Sequence, residues 1–181
     1  MRYYQEIDFP NYEKSNQEIL EFFKTEYPNP SKVTDFFNFP SFENFKKSCP
    51  TVLKGFEEMG LNVANIFMIS VIPSTNSNIH IDGSTHPCRL QWPVLNAGSV
   101  ETVWYEVDQK YRIEEVLPDG TSYISYLLRD CKEVARTNIT GPTVIRVEEP
   151  HAVERVSTNL EDFPRIAFSI AFHETLEDFL E

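Results

Sequence analysis

At Gly60 the apolar pattern of this 181-residue chain changes period, and it does not change back. Before that point apolar residues recur three and four positions apart, the spacing of one helix face. Ile19, Leu20, Phe22, Phe23 and Tyr27 accompany Ser15 and Glu18, whose spacing is that of a capping box. Pro28 and Pro30 end this first helix. A short helix is predicted over 41–48, with Phe42 and Phe45 on one side. Pro50 suits the first turn of a third helix, in which Val52, Leu53, Phe56 and Met59 keep helical spacing, and Gly60 stands where a C-terminal cap belongs.

Beyond Gly60, short β-branched and aromatic runs alternate with turn residues such as Asp119-Gly120 and Gly141-Pro142. Candidate strands cover 66–72, 78–82, 89–95, 100–107, 123–128, 133–137, 143–147, 151–156 and 166–172. No helical pattern lies between them, which argues for an antiparallel sandwich or barrel and against a βαβ fold. The expected fold is therefore mainly β (α+β): a double-stranded β-helix, the jelly roll of cupin-like proteins, over 61–173. A helical buttress over 1–60 precedes it and a short amphipathic tail helix over 174–181 follows, in a single domain.

Charge narrows the partners. With 16 basic and 28 acidic residues the net charge is −12, and no Lys/Arg-rich run offers a local footprint, so nucleic acid is not an expected partner. No apolar run approaches the roughly 20 residues of a membrane span, and the N-terminus lacks the apolar region of a signal peptide. A cytoplasmic protein acting on a small molecule or peptide is the expectation. Cys49, Cys88 and Cys131 form neither a disulfide framework nor a CxxC metal site and read as free thiols.

The chemistry-bearing residues are few. Of the four histidines, His80 and Asp82 share a face of the 78–82 strand while Ile79 and Ile81 take the other. An imidazole nitrogen beside a carboxylate oxygen suits adjacent positions on one divalent ion, and Gly83 lets the backbone turn directly after. Chance alone puts about 0.6 HxD patterns into a chain of this composition. The pattern by itself therefore does not separate a ligand pair from a strand histidine bonded to its neighbour. Its setting adds more: short strands all round it, and His151 beginning a predicted strand after Pro150. Two histidines and a carboxylate make the facial triad of non-haem Fe(II) oxygenases, with other coordination positions open.

The strand after Pro164 has two unlike faces. Ile166, Phe168, Ile170 and Phe172 pack; Arg165, Ala167, Ser169 and Ala171 set small residues beside a cation. That second face leaves room for a ligand whose carboxylate a guanidinium can hold in bidentate fashion, with the Ser169 hydroxyl as a further donor. A solvent-facing strand with an incidental arginine is the alternative. Arg155 is a rival anchor on the face of His151, His86 a loop residue near the metal strand, and His173 a surface residue. Trp92, Trp104 and Tyr105 belong either to the core or to a pocket wall.

The order HxD … H … R on strands behind a helical segment resembles the Fe(II)/2-oxoglutarate-dependent dioxygenases. Phe67 through Pro73, His80 through Gly83, Cys88 through Val94, Pro150 through Glu154, and Arg165 look more particularly like the aspartyl/asparaginyl β-hydroxylase branch. The resemblance spans 67–172. It implies Fe(II) on His80, Asp82 and His151, with Arg165 on the distal carboxylate of the cosubstrate 2-oxoglutarate. Arg89 and Ser70 would lie in segments that line the cosubstrate pocket. It further implies consumption of O2 with release of CO2 and succinate, hydroxylation being the commonest outcome on a small molecule or an amino-acid or peptide side chain. A different class remains beside it: a non-catalytic jelly-roll binding or structural module, with or without a metal.

Overall fold

The computed structural model describes residues 1–75, 78–82, 87–116 and 122–180. The helices come first, as α1 Tyr12–Glu26, α2 Phe42–Ser48 and α3 Pro50–Glu58. Ser41 caps α2 by accepting from the Asn44 amide at 3.2 Å. Gly60 ends α3 with φ 75°, a backbone conformation that costs glycine nothing. The Ser15–Glu18 capping box does not form. Helix α1 starts a turn earlier, after Asn11 at φ 51°, and Ser15 is buried within it. Glu18 instead caps α3: its carboxylate accepts from the amides of Thr51 (2.8 Å) and Val52 (3.3 Å) and from the Thr51 hydroxyl (2.5 Å).

Twelve strands are described: β1 Tyr4–Glu6, β2 Phe37–Asn38, β3 Val63–Val71, β4 Ile79–Ile81, β5 Cys88–Leu95, β6 Val100–Val107, β7 Ile113–Val116, β8 Ser122–Tyr126, β9 Cys131–Thr137, β10 Thr143–Arg146, β11 His151–Arg155 and β12 Arg165–Phe172. They form two antiparallel sheets, ordered β1-β10-β5-β12-β3-β2 and β7-β8-β4-β11-β6-β9, an arrangement compatible with a β-sandwich. The tail is a single 3-10 turn, Glu177–Leu180, and not the predicted amphipathic helix; Leu176 and Leu180 are buried, which serves the same anchoring purpose.

The packing follows from alternation along β12. Ile166, Phe168, Ile170 and Phe172 join Leu90 and Trp92 of β5 and the helix residues Ile19, Phe22, Phe45 and Phe56 in one apolar cluster. The helices therefore cover one face of the first sheet. Trp92 fastens this contact by donating its Nε1–H to Asn16 Oδ1 at 3.0 Å. The opposite face of β12 is left to the space between the sheets.

Candidate metal centre

Strand pairing brings the two histidines together. His80 on β4 lies directly opposite His151 on β11, and their ring centroids are 4.6 Å apart. Asp82 follows β4, its amide donating to the Val147 carbonyl at 3.1 Å. Ligand atoms of His80, Asp82 and His151 all lie within 4.8 Å of one another, so the three could hold a metal ion. Local hydrogen bonds decide which nitrogens face inward. His80 Nδ1 lies 2.8 Å from the Asn78 carbonyl, and His151 Nδ1 lies 2.9 Å from the Glu149 carbonyl. A carbonyl only accepts, so both Nδ1 atoms carry the proton and the Nε2 atoms are left to act as ligands.

The electrostatics suit a cation. Burial, and then the neighbouring His80, depress the His151 imidazole to about 4, so it is neutral near pH 7. Burial acts to raise Asp82, yet the bond from His80, and electrostatic attraction to the histidine pair and to Arg89, outweigh it and hold the carboxyl below its ordinary range. For His80, burial is likewise overcome, here by Asp82, and its affinity for a proton rises. His80 Nε2 and Asp82 Oδ1 are 3.3 Å apart. A nitrogen lone pair and a carboxylate oxygen at that separation repel unless a cation, a proton or a metal, lies between them.

Arg165 opens β12 and lines the same cleft as the three ligands, together with Phe36, Phe37, Phe67, Ile69 and Gln91. The cleft is narrow, with a cavity volume of about 40 Å³. Arg165 is 3% exposed and its Nε is buried without a hydrogen-bond partner among the described residues. Burial lowers this guanidinium to about 10, which still leaves it cationic near neutrality.

The other predicted residues are distributed unevenly. Arg89 sits beside Asp82, its Nε 3.7 Å from Oδ2 and its guanidinium 4.5 Å over the Phe67 ring. Ser169 shares the Arg165 face but accepts from Gln91 Nε2 at 2.9 Å, so Gln91 stands at the cleft wall and Ser169 behind it. Ser70 pairs with Ile166 and takes the helix-covered face of the sheet, away from the cleft. Arg155 is exposed and donates to the Pro73 carbonyl. His173 is exposed, and His86 lies outside the described residues. Trp92, Trp104 and Tyr105 are buried core and none of them lines the cleft. Phe36, Phe37 and Gln91 escaped the sequence reading as cleft residues. Phe36 precedes and Phe37 opens a two-residue edge strand, too short to carry a period, and Gln91 becomes visible only through its place two residues after Arg89 on the inward face of β5.

Sequence comparison finds no matching protein-family model and no matching curated protein. Among the described residues no helix is long and apolar enough to cross a membrane.

Proposed function

We propose that the protein is a non-haem Fe(II)- and 2-oxoglutarate-dependent oxygenase built on a double-stranded β-helix. The fold part is supported by strand order: β3, β5, β10 and β12 fall in one sheet and β4, β6, β9 and β11 in the other, so the chain crosses between the sheets from β3 to β6 and again from β9 to β12. The observation that carries the functional part is Arg165, a buried cation whose Nε has no hydrogen-bond partner among the described residues, in a cleft that also holds two histidines and an aspartate. A structural module has no use for such a group, whose burial is costly unless an anion meets it.

The residues fit the metal. His80 and His151 offer neutral nitrogens through Nε2 and Asp82 a carboxylate, a donor set suited to Fe(II). When bound, Fe(II) supplies the oxygen chemistry that couples decarboxylation of 2-oxoglutarate to succinate with hydroxylation of a substrate C–H bond. The chain does the rest. Arg165 pairs with the distal carboxylate of 2-oxoglutarate in the two-point geometry that a guanidinium allows. Phe67, Ile69, Ile145 and Val147 wall the cleft with apolar surface, which keeps water from the reacting atoms and strengthens the Arg165 contact. The substrate class is a small molecule or an amino-acid or peptide side chain. Succinate release is the test: with Fe(II), O2, 2-oxoglutarate and a panel of such substrates, wild-type protein forms succinate and His151→Ala does not. Metal binding without succinate across the panel would favour the non-catalytic module.

A further inference from the structure

We propose that Arg89 is a positioning residue for the metal: it holds Asp82 so that one carboxylate oxygen is presented to the histidine pair while the other is kept turned away. The inference rests on the metal-site reading above. Asp82 lies just past the end of β4, so strand pairing does not orient its side chain. Its amide is fixed on Val147, and its two oxygens are divided between two partners. Oδ1 lies 3.3 Å from His80 Nε2 and Oδ2 lies 3.7 Å from Arg89 Nε.

Arg89 is itself held. Its backbone is set opposite Ile145 by the β5–β10 pairing, and its guanidinium lies 4.5 Å over the Phe67 ring, within the range of cation–π attraction. The side chain is 13% exposed, so the attraction to Asp82 is less screened than a surface pair would be. Carboxylates can engage a cation through one oxygen or both. Two-oxygen binding would use a further position on the ion, and a facial triad serves its purpose by leaving positions open. A cation seated behind Oδ2 opposes that rotation by electrostatic attraction. Partners of this kind behind a ligand typically change metal affinity about 10- to 100-fold when removed.

Co(II) alone is the probe, because its visible bands report coordination number without any turnover. The full-length chain is titrated as wild type, Arg89→Met and Arg89→Lys. The expected result is one Co(II) per wild-type chain, affinity lower by about 10-fold or more in Arg89→Met with altered band shape, and recovery of most of that loss in Arg89→Lys. If Arg89→Met does not fold, Arg89→Gln takes its place against Arg89→Lys. A purely structural role would lower the unfolding temperature and leave Co(II) affinity and bands unchanged, which overturns the proposal. So would unchanged Co(II) binding with weakened 2-oxoglutarate binding, which makes Arg89 a cosubstrate anchor. Failure of wild-type protein to bind Co(II) is a separate outcome: it removes the metal-site reading itself.

Discussion

His151 is nearly fully buried, and its Nδ1 is hydrogen-bonded to a backbone carbonyl. Removing it by His151→Ala, or removing the carboxylate by Asp82→Ala, is expected to abolish most of the one-per-chain Fe(II) binding, as read by metal analysis after gel filtration. Equal iron in wild type and both variants would disprove the ligand assignment. The thiols give an independent check on local burial. Burial, and then Glu18, push the Cys49 thiol up to about 12, and burial pushes Cys88 to about 11. At pH 8 the reactive thiolate of Cys49 is then about one part in ten thousand. Half-buried Cys131 should label first with a thiol reagent, and Cys49 and Cys88 only on unfolding. Much of the candidate site was legible at this scale. His80, Asp82 and Arg165 follow from two-residue alternation, since a strand leaves little choice about which side chains share a face. Ser70 was not placed by the same rule, because alternation says which residues share a face and not which face meets the cleft. Register supplied that: Ser70 lies opposite Ile166, on the side the helices cover.

Elements carry a different kind of information. The strand predicted over 100–107 is observed as Val100–Val107, and those over 89–95 and 166–172 each gain one residue at the start. Long alternating runs declare themselves. Strands β1, β2 and β7, two to four residues long, were not expected. Ser15 and Glu18 misled because capping-box spacing looks the same inside a helix as at its start, and only the αL turn at Asn11 distinguishes the two. The role Glu18 does play makes a prediction. Glu18→Ala removes a charged acceptor from the first turn of α3 and should destabilise the fold by about 1–2 kcal/mol, with Glu18→Gln losing less, in a denaturant titration. Gly55 is a second test of the α1–α3 region. A Cβ there would lie 2.6 Å from Phe9 Cζ, and Phe9 is wedged edge-on against Phe56 and Trp92. Gly55→Ala should therefore cost about 1–3 kcal/mol through overpacking, in spite of its better helix propensity. A neutral or stabilised variant would contradict this packing.

Across the whole molecule, net charge and local charge point in opposite directions. The chain carries −12, yet Arg89 and Arg165 both occur beside the candidate metal ligands. A small dianion has only to satisfy the cleft, whereas a polyanion must also meet the acidic surface, so no gel shift with DNA or RNA is expected near physiological salt. The two-sheet architecture was legible as a class from strand number and the absence of intervening helices. Strand order was not, because it depends on which distant segments pair, and local period is silent about that. That order is what sets His151 against His80 across 70 residues of intervening chain. The central requirement is that Arg165 and the metal act on one ligand. Calorimetric titration of 2-oxoglutarate into protein loaded anaerobically with Fe(II), as wild type and Arg165→Met, measures this directly. The predicted result is one 2-oxoglutarate per wild-type chain only when metal is present. In Arg165→Met the iron is retained while 2-oxoglutarate affinity falls about 30-fold or more, the loss of one charge-assisted two-point contact. Binding that ignores the metal, or that is as tight in Arg165→Met as in wild type, would contradict it.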